Sequence, residues 1–119
     1  MLYSEFVKKL QSHYRDIIFE EVQFKTNPYT EFYNRYNPKQ VEFEYNNVDL
    51  LFLPYFQIDK ITKEYAHLKC DFVFGLANSD PYFVKEGKVY TCYHGDPKPG
   101  LELIADSFDE FLKKIMEVL

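Results

Sequence analysis

The chain has 119 residues, 46% of them apolar, and its 12 Phe and 11 Tyr make 19% of it aromatic. That length fits one domain with a core able to form without covalent staples, and the apolar share excludes disorder. The formal net charge of −5, from 14 basic and 19 acidic residues, works against polyanionic partners such as nucleic acid or an anionic membrane surface and favours a basic partner.

The elements are predicted in chain order from periodicity and turn chemistry. A helix is expected from about Ser4 to Arg15, because Tyr3, Phe6, Val7, Leu10 and Tyr14 recur at helical spacing. The segment 16–24, DIIFEEVQF, reads equally as more helix or as a short extended run. Asn27–Pro28 combines a capping residue with a proline suited to a first helical position, so a short helix is predicted over PYTEFYNRYN, with Glu31 and Arg35 one turn apart. Asn37–Pro38 should end it.

VEFEY and VDLLFL flank Asn46–Asn47 and read as a hairpin, with Val41, Phe43 and Tyr45 on one face and Glu42 and Glu44 on the other. After Pro54, the spacing of Ile58, Ile61, Tyr65 and Leu68 predicts a second amphipathic helix, supported by an Asp59–Lys63 pair. DFVFGLA reads as a buried strand, NSDP as a turn, YFVKEGKVYTCYH as a hairpin tipped by Glu86–Gly87, and LELIA as the last strand. The closing segment places Phe108, Phe111, Leu112, Ile115 and Leu119 on one helical face. Ser107 and Glu110 before and within it form a capping-box pattern, with Asp109 in the first turn. Strands joined by tight turns and flanked by helices define an α+β class with a mainly antiparallel sheet.

Few residues suggest chemistry. His67, Cys70, Cys92 and His94 supply the donors of a tetrahedral zinc site, and positions 92 and 94 would share a face of a strand, but the spacing matches no zinc finger. His94 with Asp80 or Asp96 offers a base and an orienting carboxylate without an identifiable nucleophile. Ser107 lacks the Gly-x-Ser-x-Gly surroundings of a strained nucleophile, and the scattered glycines form no phosphate-binding loop. No catalytic residue, cofactor or metal is therefore assigned. A binding module remains: Glu42, Glu44, Asp49, Tyr82, Tyr90, Tyr93 and Asp96 are acidic or aromatic positions on predicted strands or their edges, suited to a protein partner. The competing reading is that the tyrosines complete the core and the acids keep the chain soluble. Two cysteines make no disulfide framework, the opening residues carry charges where a secretion signal would be apolar, and no apolar run approaches membrane-spanning length. A cytoplasmic protein is expected, of open oligomeric state.

DFVFGLANSDPYFVKEGKVYTCYHG followed by ADSFDEFLKKI resembles the SUKH superfamily, which includes the yeast cell-wall-synthesis regulator and many bacterial toxin immunity proteins. The likeness rests on a strand ending in Phe74–Gly75, a turn at Asn78–Asp80, an aromatic strand, a Gly-tipped hairpin with Val89, and Ala105–Asp106–Ser107–Phe108 leading into Phe111–Leu112. PYTEFYNRYNP is similar to the family's short aromatic helix. The resemblance covers about residues 28–119; many members have a longer, Gly-richer central segment. It implies one domain over 1–119 with a curved antiparallel sheet, helices at its sides, and Gly75, Asp80, Asp106, Ser107 and Phe108 as determinants of the fold. It also implies non-enzymatic binding of a cognate toxin domain, which the acidic charge of this chain suggests is basic, the alternative being a regulatory scaffold docking on an endogenous partner. A small metal-dependent hydrolase is the third reading.

Overall fold

The computed structural model describes all residues from 1 to 119. Seven strands lie side by side in sequence order, each antiparallel to its neighbours: β1 (Ile18–Glu21), β2 (Tyr36–Tyr45), β3 (Val48–Phe52), β4 (Phe72–Ala77), β5 (Asp80–Lys85), β6 (Lys88–Thr91) and β7 (Glu102–Ala105). Helices α1 (Leu2–His13), α2 (Tyr55–Glu64) and α3 (Phe108–Glu117) flank the sheet. The α+β expectation holds, and a single cluster of 30 buried apolar residues makes the core.

Turn chemistry sets this meander. Asn46–Asn47, Asn78–Ser79 and Glu86–Gly87 each place two consecutive residues at positive φ, the backbone hand that matches the twist of a tight hairpin. The register slips by one residue in the β1–β2, β4–β5 and β6–β7 pairs. Such bulges bend a strand and increase its twist.

The Phe-rich face is covered by α1 and α3. From α3, Phe108 meets the rings of Phe32, Tyr33, Phe52 and Phe74, while Phe111 meets those of Tyr45, Phe52, Phe74 and Tyr82. Gly75 lies where β4 passes beneath them. A Cβ there would come within 3.1 Å of the Leu51 carbonyl oxygen and 3.2 Å of Leu50 Cδ1, so β3 and β4 approach closely enough that a side chain would have to displace its neighbours by a few tenths of an ångström. On the other face, α2 packs over β4. Thr62 Oγ1 accepts from the Val73 N–H at 2.9 Å, and Tyr65 donates to the Ser79 carbonyl at 2.6 Å.

Ser107 caps α3 as expected, its Oγ accepting from the Glu110 N–H at 3.0 Å. The box closes on one side only, because the Glu110 carboxylate pairs with Lys113 at 3.1 Å instead of returning to the Ser107 N–H. Two other expectations are corrected, and one left open is decided. Helix α1 lies two residues earlier than its predicted span. The ambiguous 16–24 segment holds the edge strand β1. The helix expected over 28–37 contracts to a 3-10 turn, Glu31–Asn34. There the Asn27 carboxamide oxygen accepts from the Tyr29 and Thr30 N–H groups, satisfying them as a loop. The chain then enters β2 at Tyr36, with Pro38 inside the strand, and Glu31 and Arg35 form no ion pair.

The Tyr33 hydroxyl is fully buried and has no partner among the protein's own donors and acceptors. Removing an unsatisfied buried group of unchanged shape is favourable. Tyr33→Phe is expected to raise the free energy of urea unfolding by about 1 kcal/mol, whereas Ser107→Ala should lower it by about 1 kcal/mol through loss of the cap. A less stable Tyr33→Phe variant would show that the hydroxyl is satisfied.

Candidate functional site

Alternation along β2 buries Val41, Phe43 and Tyr45 and so turns Glu42 and Glu44 to the opposite face. The β3 register places Leu51 opposite Glu42 and Asp49 opposite Glu44. Two carboxylates therefore face each other across the hairpin, both exposed, and neither they nor Glu42 take part in any of the chain's ion pairs. Like charges directly opposite on a sheet are destabilising. The local sequence thus forms a well-specified hairpin whose outward side is held in an uncompensated negative state.

The other candidate residues are placed elsewhere. Tyr82 lies on the covered face, 5% exposed, with its ring stacked on Phe111 at 5.9 Å. It is a core residue and offers no contact to a partner, which corrects its assignment to the surface. Tyr90 is half-buried, stacked on Phe83 at 6.0 Å beside the exposed Leu103, its neighbour on β7. Tyr93 is 64% exposed and Asp96 accepts from the Lys98 N–H, but both lie in the loop after β6. Strands β4 and β5 separate this group from Glu42, Glu44 and Asp49, so the candidates form two surfaces. The first is acidic and built on strands β2 and β3; the second combines Tyr90 and Leu103 on β6 and β7 with Tyr93 and Asp96 in the loop between them.

Among the fold determinants, Gly75 and Phe108 hold the sheet to α3, and Ser107 caps it. Asp106 is exposed at the turn before the cap. Asp80 opens β5 and accepts from both the backbone N–H of His94, at 2.9 Å, and its ring Nδ1, at 2.7 Å. This pair ties the start of the 92–101 loop to the sheet, and neither the serine nor the cysteine chemistry of a nucleophile is hydrogen-bonded to it.

The zinc arrangement does not assemble. Strand β6 ends at Thr91, so Cys92 is buried while His94 sits in an exposed turn. No three His, Cys, Asp or Glu side chains are grouped to hold a metal ion. Burial pushes the Cys70 and Cys92 thiols up from their ordinary value, which keeps both protonated at neutral pH, the opposite of what a thiolate ligand or nucleophile requires.

No helix is long and apolar enough to cross a membrane. Comparison of the chain with protein-family models, curated proteins and solved structures finds no match.

Because Glu44 and Asp49 repel each other in the isolated protein, Asp49→Asn should stabilise it by about 0.2–1 kcal/mol at low salt. The gain should shrink as salt rises, through screening of exposed charges. Equal stability of the two proteins in urea at low ionic strength would show that the pair is not under strain.

Proposed function

We propose that this chain is a non-enzymatic inhibitor of the immunity-protein kind, acting in the cytoplasm by binding a basic toxin domain and obstructing it. The observation that carries this reading is the outward acidic face of β2–β3, where Glu42, Glu44 and Asp49 stand exposed and without cationic partners. A protein gains little stability from facing carboxylates, whereas a basic partner is accelerated toward them and relieves their repulsion on docking. The resemblance to the SUKH superfamily supports the same reading. A toxin that acts on nucleic acid needs a positive surface, and an acidic inhibitor can compete for it.

The reading predicts co-purification with the toxin encoded by a neighbouring gene and protection of cells expressing that toxin. The triple variant Glu42→Gln, Glu44→Gln, Asp49→Asn should slow association about tenfold or more at low salt, with a smaller change in dissociation. Absence of binding and of protection together would overturn the reading. Capture of an endogenous basic protein instead would favour the regulatory-scaffold function.

A further inference from the structure

A cleft of about 330 Å³ opens at the end of the strands opposite the Asn46–Asn47 tip, between α1, the 3-10 turn Glu31–Asn34, the start of β4 and the first turn of α3. Its walls include Tyr3, Tyr29, Glu31, Phe72, Phe108 and Asp109. We propose that this cleft is a docking site for one guanidinium group, supplied by an arginine side chain of a protein partner. That such a partner exists rests on the proposed function; the affinity of the cleft for a guanidinium does not.

Three features fit that occupant. First, two carboxylates reach the cleft without a cation. Neither Glu31 nor Asp109 belongs to any of the chain's ion pairs. The Tyr3 hydroxyl donates to Asp109 Oδ1 at 2.8 Å, which fixes that carboxylate while leaving its second oxygen to accept. Glu31 lines the same cleft from the 3-10 turn, across from the first turn of α3. Second, aromatic residues back the cleft: Tyr29 is half-buried and offers part of its ring, packed at 5.1 Å between centroids on Phe72, which like Phe108 is buried beneath the surface. A guanidinium is planar, stacks on aromatic rings, sheds water more readily than an ammonium, and presents a fork of donors matched to carboxylates. Third, the volume is at the small end for ligand pockets and suits one side chain rather than an extended segment.

Two local charges oppose a cation. The N-terminus of α3 carries roughly half a positive charge, but Ser107 already takes one of its N–H groups and two full carboxylate charges outweigh the rest. Arg35 is a resident cation whose charge is felt at Tyr3; it neither lines the cleft nor pairs with Glu31.

Titration of the isolated protein with L-argininamide, followed by amide NMR shifts, tests the site without any toxin. Saturable shifts are expected at Thr30, Gly87 and Asp109, with lysinamide weaker and sodium chloride of equal ionic strength inactive. Glu31→Gln, an exposed position outside the core, should weaken binding about fivefold or more. Asp109→Asn should do the same, and its unfolding curve shows whether loss of the Tyr3 bond has disturbed the fold. Linear shifts spread over all acidic residues, or an affinity untouched by Glu31→Gln, would overturn the proposal. Saturable binding in a protein that captures no toxin would leave the cleft standing and remove the inhibitor reading alone.

Discussion

The structure depends on the seating of one apolar helix face against an aromatic sheet. Phe108 and Phe111 project from consecutive turns of α3 into rings contributed by β2, β3, β4, β5 and the 3-10 turn. Each is worth about 1.5–3 kcal/mol in burial, and edge-to-face pairs add about 0.5–1.5 kcal/mol beyond area. The seating is eased by Gly75, because a side chain there would crowd the Leu51 carbonyl and Leu50 across the β3–β4 pair. It requires the Ser107 cap, because Phe108 follows immediately and its direction depends on where the helix begins. It also lets α1 lie alongside α3 and bond through Tyr3 to Asp109. The cleft is the remaining space where these parts meet.

How much of this was legible depended on whether the signal was local. The α3 stripe and its cap could be read because burial at Phe108, Phe111, Leu112 and Ile115 follows a 3.6-residue period with a capping serine before it. The Glu42/Glu44 face could be read because only one side of β2 is covered, which imposes strict alternation. Tyr82 could not be placed. Pro81, Tyr82, Phe83 and Val84 are all buried, since α3 covers one side of β5 and the opposite side is enclosed as well, so alternation carries no information there. The sequence reads Asn27 as a helix cap, but the 3-10 turn is entered from Thr30, and the Asn27 side chain, able to serve either end, closes the loop before it. The four-residue β1 lacks a buried period because it is an edge. The cleft was wholly invisible, its walls coming from five separate segments brought together only by packing.

The acidic side chains acquire meaning from the same geometry. Helix α2 lies over β4, leaving the outward side of the β2–β3 hairpin to water. A surface selected only for solubility would intersperse both signs, yet Glu42 faces Leu51 and Glu44 faces Asp49. Elsewhere the chain does pair its surface charges, as Asp59 with Lys63 at 3.0 Å and Glu110 with Lys113 at 3.1 Å. Most of the chain's acidic residues are unpaired, so what sets the hairpin apart is the direct opposition of Glu44 and Asp49 across its register, and its position on strands fixed by the aromatic core gives it a rigidity that a charged loop would lack.

Rigidity bears on how such a surface would work. Exposed carboxylates on a fixed sheet generate a field that orients an approaching basic protein, but each rim contact adds little to final affinity. Lasting attachment needs a group that is desolvated on binding, and arginine is the commonest charged anchor of that kind. The cleft has properties the hairpin lacks, namely a concave shape, aromatic side chains in its lining and a carboxylate held by Tyr3. The two lie toward opposite ends of the strands. Steering by one surface and anchoring at the other would thus call for a partner with two separated basic features, a stricter requirement than positive charge alone.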